Sequence, residues 1–212
     1  MDVAEMMDEL DDSGFTDTES DRKVAMLNDA LYDAAGREKW PFLQTTATLT
    51  FDGSSDQPTD LPANFETAMG LVDLSNGQKI DWQRSDVFDG GMRDLAAVGP
   101  PQVYYQVGDE LHVWPIPPAG SSLRLRYYRV PTPLTEATLS ADVDWPVYGH
   151  RILVLGALQR LYDMEDDPEL AVRAEGKFEE RIMRFAQQVF NRQTDKPDRI
   201  YIEPLFDSDL YD

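Results

Sequence analysis

The side chains suited to chemistry in this 212-residue sequence are few: two histidines, one local run of acids and a set of aromatics. His112 shares strand parity with Glu110 and Trp114, and His150 stands in the first turn of a helix, near Asp144. Histidine titrates near neutrality and works as a general acid or base when a substrate is in reach. Both nevertheless read as surface or hydrogen-bonded structural residues. Asp163, Glu165, Asp166 and Asp167 form an acid cluster of the kind that holds a divalent cation, but calcium loops place ligands at alternate positions around a central glycine. The cluster lacks that spacing and reads as a solvated loop. Tyr104, Tyr105, Trp114, Tyr127 and Tyr128 fall on adjacent predicted strands, where aromatic faces stack on sugars or bases. A single nucleic-acid strand also needs a basic groove, and Arg124 and Arg126 do not offset the surrounding acid. These aromatics are read as the core and rim of a small sheet, with a carbohydrate-binding module as the alternative.

The familiar catalytic spacings are missing. There is no His-Glu-x-x-His helix, no Gly-x-x-x-x-Gly-Lys phosphate loop, no Gly-x-Gly-x-x-Gly after a strand and no Gly-x-Ser-x-Gly elbow. With 40 Asp plus Glu, carboxylates for glycoside hydrolysis are plentiful, but no pair stands out. The absence of Cys removes disulfides, Cys-ligated metals and thiol nucleophiles. The reading is a protein that is not an enzyme, with no catalytic residue, no metal ligand and no cofactor.

Lys plus Arg number 19, which leaves a formal net charge of −21 and a pI near 4.3. Attachment to phosphate backbones is carried by Lys and Arg, so broad nucleic-acid binding is disfavoured, as is an anionic membrane surface. No apolar run approaches the roughly 18–20 residues that span a bilayer, and the acidic Met1 end does not resemble a signal peptide. The expectation is a soluble protein.

The charge is unevenly placed. Residues 1–21 hold nine acids and no base, and residues 194–212 contribute a further −4, so the two ends carry −13 of the −21. Both ends also carry apolar anchors: Val3, Met6, Met7 and Leu10 at one, and Ile200, Tyr201, Ile202, Leu205, Phe206, Leu210 and Tyr211 at the other. Acidic segments with spaced anchors read either as solvated tails or as arms that order on a partner.

Between these ends, Ser20 is placed to cap a helix over 21–35, whose apolar positions Val24, Leu27, Leu31 and Ala34 step by three and four, with Gly36 placed to end it. Trp40-Pro41 forces the chain out of helical geometry. Residues 43–51 alternate and are rich in Thr, which predicts a strand. Asn76-Gly77 sits between two further arms, 69–74 and 78–82, as a tight hairpin turn with two positive φ angles. Val103, Tyr105 and Val107, then Gly108-Asp109, then Leu111 and Val113 predict a second hairpin, and Leu123, Leu125 and Tyr127 predict a strand pairing with it in a meander. From Pro146 to about Met164 the chain is apolar on nearly every side of a helix, so that helix must be packed on several faces. Asp167-Pro168 starts another, on which Ala171, Ala174, Phe178, Ile182, Phe185 and Val189 make one clean stripe. Its ~24 residues span roughly 36 Å.

The predicted fold is α+β: a helical bundle, from residues 21–40 and 145–193, with an antiparallel β-rich domain inserted at 41–144. An acidic arm or short helix at 1–20 and an acidic arm at 194–212 flank it.

Taken in order, a set of short segments has a family look. Leu27-Asn28-Asp29-Ala30-Leu31 precedes Trp40-Pro41-Phe42-Leu43, followed by Leu61-Pro62-Ala63-Asn64-Phe65, Gly99-Pro100-Pro101-Gln102-Val103-Tyr104, and Leu111-His112-Val113-Trp114-Pro115-Ile116-Pro117-Pro118. Leu123 to Arg129, Pro131-Thr132-Pro133-Leu134-Thr135 and Pro146-Val147-Tyr148-Gly149-His150 complete it. Over roughly residues 20–190 this resembles the head–tail adaptor, connector or neck, proteins of tailed bacteriophages. The resemblance implies a virion structural protein assembled in the host cytoplasm and located in the neck, between capsid and tail. About a dozen copies would form a homo-oligomeric ring beneath the portal protein and carry the DNA channel on to a tail or stopper protein. Genomic DNA would pass through without specific binding, and no membrane is involved. The C-terminal arm, with Ile200, Tyr201, Leu205, Phe206, Leu210 and Tyr211, would reach the portal, and the stripe Phe178, Ile182, Phe185 and Val189 would pack subunits. The alternative is a tail-associated carbohydrate-binding module.

The physical reading agrees with the resemblance. Twelve copies would carry roughly −250 charges, and like charge facing phosphates keeps a DNA conduit from sticking.

Overall fold

The computed structural model describes residues 1–53, 59–86 and 96–194. Among these residues, four α-helices and seven strands make a mixed α+β fold with two apolar clusters, one among the helices and one under the sheet. The helices are α1 (Val3–Leu10), α2 (Ser20–Arg37), α3 (His150–Met164) and α4 (Pro168–Thr194). The strands are β1 (Gln44–Thr50), β2 (Thr59–Asp60), β3 (Phe65–Asp73), β4 (Lys79–Trp82), β5 (Val103–Val107), β6 (Glu110–Trp114) and β7 (Ser122–Arg129). No helix among the described residues is long and apolar enough to cross a membrane.

The acidic start of the chain is a docked helix. Asp2 and Glu5 close a reciprocal capping box at its N-terminus, and Val3, Met6 and Leu10 are fully buried. Burying one such side chain is worth about 1.5–3 kcal/mol, whereas repulsion among exposed charges costs tenths of a kcal/mol per pair. The three anchors therefore outweigh the local charge. Lys23 of α2, itself buried, pairs with Asp11 just after α1. Gly14, with φ 109°, turns the chain from α1 toward α2.

α2 begins and ends differently from the expectation. Ser20 is its first helical residue rather than its cap, and Gly36 continues the helix instead of ending it. Arg37 holds the last turn, 3.2 Å from Asp33 one turn back and 2.9 Å from Glu179 on α4. Those ion pairs at the negative end of the helix dipole extend it past the glycine.

α3 is buried along most of its length, and α1, α2 and α4 all pack against it. Asp167 caps α4 as expected, accepting from the Leu170 amide at 3.1 Å.

The sheet order is β1-β7-β3-β4-β5-β6-β2. This corrects two expectations. β7 does not pair with β6 in a meander; it lies between β1 and β3, antiparallel to both. Nor is the sheet wholly antiparallel, because β4 and β5 run parallel through Asp81 and Val103, and Trp82 and Tyr104. β4 changes partner midway, its first half bonded to β3 and its second to β5, so one short strand joins two antiparallel groups. Local alternation shows that a segment is a strand, but many partners satisfy the same alternation.

The Asn76-Gly77 turn also differs. Only Gly77 is left-handed, with φ 71°. The buried Asp73 carboxylate accepts from the Ser75 amide at 2.8 Å and its hydroxyl at 2.7 Å, while the Gly77 amide reaches the Asp73 carbonyl at 2.8 Å. This longer loop needs one positive φ where a two-residue turn needs two.

Candidate functional site

The side chains singled out for chemistry are placed by the fold as follows. His112 on β6 stacks on Tyr105 of β5, ring centres 4.7 Å apart, and lies 3.5 Å from Glu110. Asp163, Glu165 and Asp166 are exposed at the α3–α4 turn, Asp167 is the α4 cap, and among the described residues no three metal-binding side chains converge. The aromatic platform is divided. Tyr104 and Tyr127 point into the sheet core, Tyr127 donating to Asn64 Oδ1 at 2.9 Å, and burial pushes the Tyr104 hydroxyl above its ordinary value. Tyr128 instead meets Lys39 and Gln44, three strands away from Tyr105 and four from Trp114. Insertion of β7 between β1 and β3 separates rings that a meander would have set side by side.

The helical half carries an aromatic junction that the sequence reading passed over. Trp40, whose local pattern predicts only the end of a helix, is fully buried and donates its indole N–H to the Ala34 carbonyl at 2.8 Å. Its ring lies 5.2 Å from Trp145 and 5.3 Å from Phe185, and Phe42 sits 5.0 Å from Trp145. Gly149 fits this junction because a Cβ there would stand 2.5 Å from both Phe185 Cε2 and Trp145 Nε1. The only local signal was Trp-Pro-Phe and Trp-Pro at two distant places, each read separately as a helix boundary.

His150 lies beneath this junction, fully buried, and ties α3 to the chain start. Its Nδ1 is 2.7 Å from the Met1 carbonyl oxygen and its Nε2 2.7 Å from the Trp145 carbonyl oxygen. A neutral imidazole has one N–H to donate, so only one carbonyl is satisfied at a time. Burial holds the imidazole below its ordinary value of 6.5; the two carbonyls push the other way. A histidine depressed in the folded state contributes stability that is complete above its unfolded value and lost as pH falls through the folded one. The melting temperature of the chain is therefore expected to fall with acidification below pH 6.5, and His150→Asn to flatten that slope. An unchanged slope in thermal melts of the variant between about pH 7 and pH 5 refutes the assignment.

α4 presents two faces. Phe178, Ile182, Phe185 and Val189, expected to pack subunits, are buried inside the chain itself, in the same cluster as α2 and α3. α3 is apolar on so many sides that it takes up this stripe within one copy. The surface left outside carries both signs of charge, with Glu169, Glu175 and Glu180 exposed, the last lining the groove between α3 and α4. Arg173, Lys177, Arg181 and Arg184 are exposed at steps of four, four and three, a stripe that sequence spacing could have revealed but which the apolar pattern beside it masked. Lys177, Arg181 and Arg184 line a groove of about 470 Å³ with Arg151 and Tyr148, floored by Ile152, Leu155 and Phe185. Arg184 pairs with Glu180, and Arg151 is 3.9 Å from Glu9.

The expected portal-reaching residues Ile200, Tyr201, Leu205, Phe206, Leu210 and Tyr211 lie outside the described residues. A two-cluster scaffold with charged outer faces presents surfaces on which other proteins can dock. Comparison with known proteins accords with that. A family model described as SU10 adaptor protein matches residues 1–201, which takes in both apolar clusters. No curated protein matches the chain.

Proposed function

The chain belongs to the SU10 adaptor protein family, a family consistent with the head–tail adaptors of bacteriophages, and from that premise we propose a specific place for it in the particle. About twelve copies form a ring beneath the portal protein and continue the DNA channel to a tail or stopper protein. The protein acts as a structural link and catalyses no reaction. The single observation that carries this reading is the family match along residues 1–201.

Physical features support it. A net charge of −21 per copy favours a channel wall from which DNA slides free. Apolar side chains remain exposed on the β-rich half, among them Trp82, 61 % exposed on β4, with Met69, Leu74 and Val107 also exposed. Apolar surface of this kind suits a neighbouring subunit or tail protein.

Electron cryomicroscopy of the virion tests the reading directly. Density for this fold as a ring in the neck is the expected result, and its absence from the neck overturns the proposal. The C-terminal arm is tested separately. Deleting residues 197–212 is expected to leave the circular dichroism and melting temperature unchanged while abolishing co-sedimentation with portal, and normal co-sedimentation refutes the arm's role.

A further inference from the structure

The helical half of the molecule is charged unequally along its length. Phe15 and Tyr162 pack with ring centres 5.0 Å apart, and the Tyr162 hydroxyl donates to the Ser13 carbonyl at 3.4 Å. Arg22 reaches Met164 Sδ at 3.7 Å. These contacts bring the turn before α2 and the turn between α3 and α4 to one end. Exposed there are Asp12, Asp17 and Asp21 from the first segment and Asp163, Glu165 and Asp166 from the second. The basic groove lies toward the other end, because Tyr148 and Arg151 stand at the start of α3 and the antiparallel α4 brings Arg184 alongside them. At ~1.5 Å per residue, Arg151 and Met164 are separated by roughly 20 Å along α3.

The groove keeps a positive surplus on a chain of net −21. Among the described residues Lys177 and Arg181 form no ion pair, and Arg151, 60 % exposed, has Glu9 only at 3.9 Å. The acidic end of the same copy is too far away to neutralise it. Two unlike, complementary patches on one chain favour a heterologous contact, in which the same pair of surfaces repeats from copy to copy and closes into a ring if the rotation allows.

We propose that the α3–α4 groove, through Arg151, Lys177, Arg181 and Arg184, receives the acidic α3–α4 turn of a second copy of this chain, so that copies associate head to tail. The proposal rests on the ring reading above and names the surfaces that make the ring. Charge complementarity selects the occupant: copies of net −21 repel one another overall, and this pairing offsets that by setting four exposed cations against a cluster of exposed carboxylates. Tyr148, 51 % exposed at the groove, adds contact area that phosphates alone would not use.

Because the chain has no cysteine, single thiols report the contact cleanly. Full-length chain carrying Gln188→Cys in the groove is mixed with full-length chain carrying Glu169→Cys beside the acidic turn, and treated with a short bismaleimide. A mixed cross-linked dimer is expected at low salt, falling about tenfold near 1 M salt, where charges are screened within about 3 Å. Lys177→Glu with Arg181→Glu in the groove copy is expected to abolish the product. Adding Asp163→Lys with Glu165→Lys to the turn copy should restore it. All four charged positions are exposed, and circular dichroism checks that each variant is folded. No mixed product at any concentration, a product indifferent to charge reversal, or a reversal that the partner variant does not rescue each overturns the proposal. A dominant Gln188→Cys self-cross-link indicates a two-fold contact and overturns it as well. So does retention of duplex DNA by the groove in place of a second copy. The outcome is independent of the neck assignment, since a chain found in the neck by imaging but indifferent to these substitutions refutes the contact and leaves the adaptor reading standing.

Discussion

Trp40→Ala is expected to destabilise the chain by about 4 kcal/mol, close to the limit for a single aromatic deletion. The side chain is fully buried, and four rings surround it: Phe42, Trp145, Phe185 and Phe190. Removing it opens a cavity that these rigid rings cannot collapse into without leaving their own packing. It also takes away the indole donor from the Ala34 carbonyl, near the end of α2 where helix carbonyls have fewest partners. Trp40→Phe separates the two contributions, because it keeps most of the ring and loses only the N–H. A loss of about 1–2 kcal/mol is expected for that variant. Urea unfolding followed by circular dichroism measures both. A Trp40→Ala loss below about 1 kcal/mol would show that the junction repacks, contrary to its geometry.

Gly156→Ala should lower stability by about 1–3 kcal/mol although alanine is the better helix former. Gly156 of α3 faces both α2 and α4, and a Cβ there would stand 2.8 Å from Ala30 Cβ and 3.1 Å from Phe178 Cε2. Ala30 Cβ is fixed to the α2 backbone and has no rotamer to yield, so the helix itself must move. Helix propensity favours the change by only about 1 kcal/mol, and the clash outweighs it. Gly176 on α4 provides the control, since a Cβ at that position meets nothing within 4 Å. Gly176→Ala is expected to raise stability by up to about 1 kcal/mol in the same unfolding experiment. Equal effects of the same sign at the two glycines would remove the case for close helix packing at Gly156.

Much of the helical half was legible in the sequence because helix signals are local. Asp167-Pro168 marked the start of α4, and the spacing of Ala171, Ala174, Phe178, Ile182, Phe185 and Val189 marked its buried face. The all-round apolar character of α3 correctly required neighbours on several sides. What the spacing did not contain was the identity of those neighbours. An apolar stripe is indifferent to whether it meets its own chain or another copy, and here α3 was available within the chain to meet it.

The candidate site was less legible. Arg173, Lys177, Arg181 and Arg184 are ordinary surface residues one at a time, and their importance depends on the groove that Arg151 and Tyr148 complete from another helix. Trp40 and Trp145 are separated by the whole β-rich middle of the chain, so nothing near either residue indicates that their rings meet.

The amino-acid sequence alone was enough for the strands of the second hairpin, the two C-terminal helices, the acidic ends and the absence of cysteine, because each depends on composition or on contacts within a few residues. The pairing of β7 between β1 and β3, the parallel step from β4 to β5, the burial of His150 against Met1 and Trp145, and the basic groove needed the three-dimensional structure. Each joins segments far apart in the chain. Alternation and charge spacing are compatible with many such pairings, and only simultaneous packing of every element into two cores selects one of them.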